Sequence, residues 1–248
     1  MTEIVAIIPA RSGSKSVQHK NIAMLDGHPL IAYSIVAAKL SKRISRVIVS
    51  TDSEQYRDIS LAYGAEVPFL RPKELATDQC DDKGFLQHAM HWLQEQEGAC
   101  PEYWVHLRPT TPLRDPHLMD QAIETLVANN RATSLRSAHP APESPFKWFR
   151  KQDDGYFTGL SDAMDDNAHT KPKEAFETAY IPDGYVDVVR KSVLMNDESI
   201  HGDRILGFIS PVCTEVDSAE ELEYLTWQVS RSNSLLKQAL NNIKQEMI

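Results

Sequence analysis

The sequence predicts an α/β fold in which helices cover both faces of a mostly parallel sheet. In the first half of the chain, short apolar segments alternate with segments whose apolar residues repeat at helical spacing, which is typical of parallel sheets. Polar loops directly follow the apolar segments, as expected when ligands bind beyond the carboxyl ends of the strands. With 248 residues, of which 42% are hydrophobic, the chain can bury one sizeable core, so we expect residues 1–248 to form a single domain.

The elements of the first half are predicted from local composition. Residues 4–8 are continuously apolar and rich in Ile and Val, which favours a central parallel strand. Pro29 suits the first position of a helix, and Gly64 is a typical residue just after the end of one. We predict strands at 4–8, 46–50 and 103–107, a short extended segment at 65–70, and helices at 29–40, 54–63, 81–96 and 117–128.

The second half is less regular. We predict strands at 132–137, 185–189 and 205–209, and one closing helix at 219–243. Residues 139–180 lose the regular pattern and carry several aromatic side chains: Phe146, Trp148, Phe149, Tyr156 and Phe157. Such side chains need a cover, which a subunit interface or a small lobe over the site would supply. We therefore expect a dimerisation or lid segment here, with an ordinary loop packed on its own domain as the alternative.

Charge and cysteine content restrict the functional classes. The net charge of −9 and the pI of about 5.5 argue against general nucleic-acid binding but are compatible with a small phosphorylated ligand. The three cysteines are far apart and lack C-x-x-C spacing, which argues against disulfides and structural zinc and favours the reducing cytoplasm. The apolar start is too short to span a membrane and lacks the basic residues of a signal peptide, so we expect no membrane association.

A basic loop follows the first predicted strand and is the first candidate site. Its residues are Pro9-Ala10-Arg11-Ser12-Gly13-Ser14-Lys15, followed after a gap by Lys20-Asn21. Gly13 lets backbone amides approach a phosphate closely, while Arg11 and Lys20 would neutralise the charge of a triphosphate and of departing pyrophosphate. The loop matches neither the Walker pattern nor G-x-G-x-x-G, and a solvated basic turn is the alternative.

Two carboxylates near the end of the chain form the second candidate site. Glu215 and Asp217 lie two positions apart, so in a strand they would point to the same face. Oxygen ligands on a rigid element suit Mg²⁺, which a triphosphate also holds. Alternatively, Asp217 is the N-cap of the helix that begins beside it.

The order of these motifs closely resembles the acylneuraminate cytidylyltransferase family. The pattern R-x-G-S-K-x-x-x-x-K-N comes directly after the I-I-P-A of the first strand. Further matching segments follow in order, at residues 29–35, 49–52, 64–72, 74–78 and 108–114. The resemblance therefore covers nearly the whole chain.

The resemblance implies a nucleotide-diphospho-sugar transferase fold, a homodimer, CTP as donor, and a 2-keto-3-deoxy sugar acid as acceptor, such as sialic, legionaminic or pseudaminic acid. It implies Mg²⁺ at Glu215 and Asp217, although the family usually carries Asp at the first of these positions. The catalytic residues that it implies are Arg11, Lys20 and Asp217. The nucleotide-binding residues that it implies are Ala10, Arg11, Ser12, Gly13, Lys15, Lys20, Asn21 and Arg71. For Arg71, a surface ion pair is the alternative.

Three departures from the family concern the acceptor. Arg108 stands where the family more often carries Gln, Lys173 replaces Arg, and Asp183 replaces Asn. We expect all three to bind substrate. Arg108 would bind the acceptor's carboxylate or a phosphate, or alternatively pair with an internal acid such as Asp78. These departures keep a second function open: a nucleotidyltransferase of the same fold that uses another nucleoside triphosphate and a sugar-1-phosphate, for example a guanylyltransferase.

Overall fold

A computed structural model describes residues 3–13, 18–160, 167–195 and 199–246 of the chain. The strands within these residues are β1 (Ile4–Pro9), β2 (Met24–Leu25), β3 (His28–Pro29), β4 (Arg46–Ser50), β5 (Tyr103–His106), β6 (Ser134–Pro140), β7 (Phe149–Lys151), β8 (Phe157–Gly159), β9 (Tyr180–Arg190) and β10 (Ile205–Ile209). The helices are α1 (Leu30–Leu40), α2 (Glu54–Ala62), α3 (Asp82–Glu97), α4 (Pro116–Ala128), α5 (Lys191–Leu194), α6 (Ala219–Arg231) and α7 (Leu235–Glu246).

The main sheet has six strands in the order β10-β6-β9-β5-β1-β4. Strand β9 runs antiparallel to both of its neighbours, β5 and β6, and the other pairings in this sheet are parallel. The prediction of an α/β fold with a mostly parallel sheet is therefore confirmed. Because β1, β4 and β5 run parallel, their carboxyl ends meet at one edge, where ligands of such sheets bind.

Apolar side chains cover both faces of the sheet. Along β1, Ile4, Ala6 and Ile8 pack on one face with residues of α1, α4 and α7, whereas Val5 and Ile7 pack on the other face with residues of α3. This alternation follows from the two-residue period of a strand, and burial on both faces explains why β1 is continuously apolar.

The helix boundaries follow capping chemistry. Asp81 accepts a hydrogen bond from the backbone N–H of Gly84 at 3.2 Å and thereby caps α3, and Gly98 ends this helix in the left-handed conformation with φ 70°. Ser53 caps α2, and its side chain accepts a hydrogen bond from the backbone N–H of Tyr56. Pro29 is the N-cap of α1, one position before the predicted one.

One predicted element is wrong. The closing helix is two helices, because α6 ends at Arg231 and α7 begins at Leu235. Ser232 and Ser234 lie in this break, and Ser234 accepts a hydrogen bond from the backbone N–H of Lys237, a local contact that favours a new helix start. The extended segment predicted at 65–70 pairs with the sheet through an isolated bridge between Glu66 and Ile48.

The described residues of the segment 139–180, which are 139–160 and 167–180, form a small lobe that connects β6 with β9. Its hairpin of β7 and β8 stacks the rings of Phe149 and Phe157 at a centroid distance of 5.4 Å. Phe157 is nevertheless 65% exposed and Tyr156 is 74% exposed, so the described part of the chain leaves these aromatic side chains largely uncovered. None of the described helices is both long enough and apolar enough to cross a membrane.

Candidate active site

A cleft of about 230 Å³ opens at the carboxyl ends of β1, β4 and β5. Its lining combines the loop after β1, the start of α3 and the segment after β5. The lining residues are Pro9, Arg11, Asn21, Arg71, Leu75, Thr77, Cys80, Asp81, Asp82, Phe85, Arg108, Pro109 and Thr110. Four residues that the sequence analysis singled out, Arg11, Asn21, Arg71 and Arg108, therefore lie in one cavity.

The loop after β1 is tied to the end of β4 by Asp52. The carboxylate of Asp52 accepts hydrogen bonds from the backbone N–H of Ser12 at 2.8 Å and from its hydroxyl at 2.7 Å. Because Ser53 is the cap of α2, the side chain of Asp52 is left for this contact. The amide of Asn21 donates to the carbonyl oxygen of Arg11 at 3.0 Å, which closes the other end of the loop. Lys15 lies outside the described residues.

The two cations of this loop face carboxylates. Arg11 pairs with Asp78 at 2.6 Å between Nη1 and Oδ1, and Lys20 pairs with Asp217 at 2.8 Å between Nζ and Oδ1. The side chain of Lys20 is only 10% exposed, whereas that of Asp217 is 70% exposed. At Lys20, therefore, the described part of this loop is not a solvated basic turn, because this lysine is buried beside Asp217 of the second candidate site.

The carboxylates of Glu215 and Asp217 lie in an extended segment before α6, not in the strand that the spacing suggested. Ser218 caps α6 through a capping box with Glu221, so the alternative role of Asp217 as N-cap is wrong. The carboxylate of Asp217 is left to face Lys20. Glu215 accepts a hydrogen bond from the hydroxyl of Thr111 at 3.1 Å, which joins this segment to the loop after β5.

Arg71 is buried below the cleft, so the surface ion pair that was its alternative is also wrong. Its guanidinium donates to the carbonyl oxygen of Ser50 at 2.6 Å and to the hydroxyl of Ser50 at 3.0 Å. It also lies over the ring of Phe85 at 4.8 Å from the centroid. Burial lowers the pKa of Arg71 to about 10, which still leaves the group charged at neutral pH.

Arg108 sits between two acids. Its Nη2 pairs with Asp82 at 2.9 Å and its Nη1 pairs with Asp187 at 3.0 Å. The internal pairing that was one alternative for Arg108 is thus present, but with these two acids, while Asp78 pairs with Arg11. The carboxylate of Asp187 is fully buried, and the Nε of Arg136 lies 3.7 Å from its second oxygen.

Asp183 and Lys173 do not line this cleft. Asp183 is buried and accepts hydrogen bonds from Ser137 at 2.6 Å and from the Nδ1 of His139 at 3.0 Å. Burial raises the pKa of Asp183, but the hydrogen bonds from Ser137, Ser210 and His139 outweigh it, so the net shift is downward. Lys173 is exposed in the lobe, where its Nζ lies 3.4 Å from the carbonyl oxygen of Pro142.

Gly184 reaches the cleft although the sequence analysis did not single it out. A Cβ atom at this position would lie 2.5 Å from the hydroxyl of Thr111 and 2.6 Å from Oε1 of Glu215. The absence of a side chain thus permits β9 to approach the segment that carries Glu215. Asp183 and Gly184 lie before the predicted strand at 185–189 but inside the observed strand β9, where a glycine often marks a close backbone approach.

A basic loop after the first strand, a buried arginine in the cleft and a carboxylate paired with a lysine are typical of an α/β protein that binds a phosphorylated ligand. Residues 5–206 match the family model described as Cytidylyltransferase, so the chain belongs to this family.

Curated relatives agree with this membership. The chain is 33% identical to N-acylneuraminate cytidylyltransferase of Escherichia coli O18:K1:H7 over 226 residues, which covers 90% of this chain and 51% of that protein. It is 38% identical to CMP-N,N'-diacetyllegionaminic acid synthase of Legionella pneumophila over 150 residues, 60% of this chain and 63% of that protein. The chain thus spans about half of the first relative and under two thirds of the second.

The solved structure of CMP:2-keto-3-deoxy-manno-octonic acid synthetase in complex with CTP has a similar fold. The TM-score is 0.69, the sequence identity is 18%, and the match covers 93% of this chain and 99% of that one. At this identity the likeness is evidence for the fold alone.

Proposed function

We propose that this protein is a cytidylyltransferase that joins the CMP part of CTP to a 2-keto-3-deoxy sugar acid and releases pyrophosphate. The observation that carries the proposal is the position of Lys20. Its nearly buried Nζ lies 2.8 Å from Asp217, and the next residue, Asn21, lines the cleft together with Arg11 and Arg71. The names of the two relatives, which activate N-acylneuraminate and N,N'-diacetyllegionaminic acid, support a nine-carbon sugar acid as acceptor.

The reaction is a direct displacement. The anomeric hydroxyl of the acceptor attacks the α-phosphorus of CTP, a new P–O bond forms, the bond to the β-phosphate oxygen breaks, and the hydroxyl proton is released. Both reactants are anions, so positioning and neutralisation of charge provide most of the acceleration. Arg11 and Lys20 exchange their carboxylate partners for phosphate oxygens, while Asn21 and Arg71 hold the nucleoside.

Magnesium fits the donors at the end of the cleft. Glu215 and Asp217 are hard oxygen ligands, and each engages one carboxylate oxygen with a described residue, Thr111 or Lys20, and retains a second. When bound there, Mg²⁺ would supply neutralisation of the phosphate charge. Removal of Mg²⁺ with EDTA should abolish pyrophosphate release, and added Mg²⁺ should restore it.

Arg108 is the residue in the cleft that we assign to the acceptor. Arg108 remains the candidate for the acceptor's carboxylate, because its guanidinium lines the cleft and uses only two of its five N–H groups in the ion pairs with Asp82 and Asp187. An unchanged acceptor KM in Arg108→Gln would rule this role out. Lys173 lies in the lobe, and Asp183 is buried beside Ser137. In this structure, neither side chain lines the cleft in which the acceptor would bind.

We further infer a homodimer in the cytoplasm. The exposed aromatic side chains of the lobe, Tyr156 and Phe157 above all, support a partner surface there. Light scattering of Tyr156→Ser should show more monomer than the wild type. Tyr224→Ser removes an aromatic that is 51% exposed on α6, outside the lobe, and should leave the dimer intact. Equal mass for all three proteins, whether monomeric or dimeric, would refute a dimer built on Tyr156.

The activity is tested by pyrophosphate release in the presence of Mg²⁺. Each of the four nucleoside triphosphates is combined with N-acetylneuraminic, N,N'-diacetyllegionaminic and pseudaminic acids and with a set of sugar-1-phosphates. Release with CTP and a sugar acid is expected, whereas release only with another nucleotide and a sugar-1-phosphate would favour the alternative of a guanylyltransferase-like enzyme. Lys20→Ala should be inactive, and Lys39→Ala, which changes an exposed lysine on α1, should be as active as the wild type.

A further inference from the structure

The cleft contains a chain of ion pairs in which only Arg108 has a role in the reaction described above. Asp187 is fully buried on β9 and pairs with Arg108, and Arg108 pairs with Asp82, whose side chain is 38% exposed in the cleft. These two ion pairs therefore connect a carboxylate in the interior of the sheet, that of Asp187, with a carboxylate at the surface of the cleft, that of Asp82. Arg136 supports the inner end of this chain of ion pairs, because Arg136 and Asp187 are register partners on β6 and β9.

Of the two adjacent acids at the start of α3, only Asp82 takes part in this chain of ion pairs. Asp81 caps the helix through its hydrogen bond with the backbone N–H of Gly84. Asp82 engages one oxygen, Oδ2, with Arg108 and retains Oδ1. An ionised carboxylate accepts hydrogen bonds and donates none, and it repels phosphates and the carboxylate of an acceptor. The ligand group that faces Asp82 must therefore be a neutral hydrogen-bond donor.

The neighbours of Asp82 indicate which part of a nucleotide this is. Phe85 lies one helical turn further along α3, and its ring stacks against the guanidinium of Arg71, the residue assigned to the nucleoside. On the other side, Arg108 lies near Glu215, because a Cβ atom on Gly184 would be 3.4 Å from Cδ of Arg108 and 2.6 Å from Oε1 of Glu215. Asp82 thus lies between the group assigned to the base and the carboxylates assigned to the phosphate end. In a nucleoside triphosphate, the part between the base and the phosphates is the ribose.

We propose that Asp82 accepts hydrogen bonds from the ribose hydroxyl groups of the bound nucleotide, and that Arg108 and Asp187 are its positioning residues. The inference rests on the proposed function, since it requires a nucleotide in this cleft. It makes the enzyme selective for ribonucleotides over deoxyribonucleotides. A nucleotide that covers Asp82 but lacks the hydroxyl would leave a carboxylate oxygen without a partner, and a site that leaves a covered polar group unpaired rejects such an analogue.

The test compares nucleotide affinities by isothermal titration calorimetry of the full chain with Mg²⁺. The ligands are CTP, 2'-deoxy-CTP, 3'-deoxy-CTP and UTP. In the wild type, loss of a hydroxyl that binds a carboxylate should weaken affinity about 10- to 100-fold for at least one deoxy analogue. In Asp82→Ala this preference should fall by at least about tenfold. Because each preference is a ratio measured on one protein, a partly unfolded preparation does not change it.

Asp81→Ala is the matched control. It removes the neighbouring carboxylate and a helix cap, so it lowers stability, but it should keep the preference of the wild type for CTP. Arg108→Gln should reduce the preference for CTP over the deoxy analogue, since Asp82 loses the group that orients it. A purely structural role of Arg108 would change the melting temperature and leave this ratio unaltered.

Three results would overturn the inference. The wild type could bind CTP and both deoxy analogues equally, Asp82→Ala could retain the full preference, or Asp82→Ala could change only the preference of CTP over UTP, which would assign Asp82 to the base. A wild type that binds no CTP at all would instead reject the proposed function, and that result is distinguishable from all three.

Discussion

The contact between Lys20 and Asp217 leads to a prediction for Asp217→Ala. The carboxylate of Asp217 is 70% exposed, and an ion pair with so exposed a partner stabilises a fold by about 0–1 kcal/mol. For a chain of this size, 1 kcal/mol corresponds to a melting-temperature shift of about 2–4 °C. The variant should therefore fold and melt within a few degrees of the wild type.

Activity should respond far more strongly than stability. Asp217 is the firmer candidate ligand for Mg²⁺, and removal of one group that stabilises charge in a transition state costs about 100- to 1,000-fold in kcat. The assay is Mg²⁺-dependent pyrophosphate release at saturating CTP and acceptor, together with a thermal melt of the same preparation.

A matched control distinguishes the effect of removing any exposed carboxylate from the effect of removing that of Asp217. Asp58 is 65% exposed and pairs with Arg57 at 2.9 Å on α2. Asp58→Ala should therefore cost as little stability as Asp217→Ala and leave kcat unchanged. Full activity of Asp217→Ala would refute the role of this carboxylate, and an unfolded variant would show that its contribution is structural.

Three further predictions concern the surroundings of the site. Gly184→Ala should lower kcat at least about tenfold, because the new Cβ atom would lie 2.6 Å from Oε1 of Glu215 and displace that side chain. If the variant has the kcat of the wild type, Glu215 can move without loss of activity. Because the pKa of Asp183 is lowered in the fold, its ionised form contributes stability above the unfolded pKa, and this contribution is lost as the pH falls. The melting-temperature gap between the wild type and Asp183→Asn should therefore stay nearly constant from pH 7 to about pH 4, close to the ordinary pKa of an aspartate, and should narrow between about pH 4 and about pH 2. A gap that is unchanged at about pH 2 would contradict the assignment. Ser218→Ala should cost about 1 kcal/mol of stability in a denaturant titration through loss of the capping box, while Ser230→Ala on the same helix should cost less.

Local patterns were sufficient for most of the architecture. The β-branched run of β1, the caps of α3 and the glycine after α2 each act within a few residues, so composition and periodicity predict them well. The break between α6 and α7 was missed because the apolar period continues across it, whereas the serines at 232 and 234 offer local hydrogen bonds that end one helix and begin the next.

The sequence analysis singled out only some residues of the candidate site. The loop of Arg11 and Lys20 and the carboxylate of Asp217 were singled out because the order of these motifs resembles the acylneuraminate cytidylyltransferase family. Asp52, Asp82 and Asp187 were not found as site residues, since an Asp at a helix start is usually a cap and an Asp in a strand has no distinctive pattern.

The sequence by itself determined which elements form and which residue types carry charge at the strand ends. Only the tertiary structure decided which carboxylate meets which cation. Lys20 meets Asp217 across 197 positions of sequence, and Arg108 meets Asp187 across 79. Such contacts depend on the order and register of strands in the sheet, and these are set by the packing of the whole chain, whereas composition and periodicity report only on neighbours within a few residues.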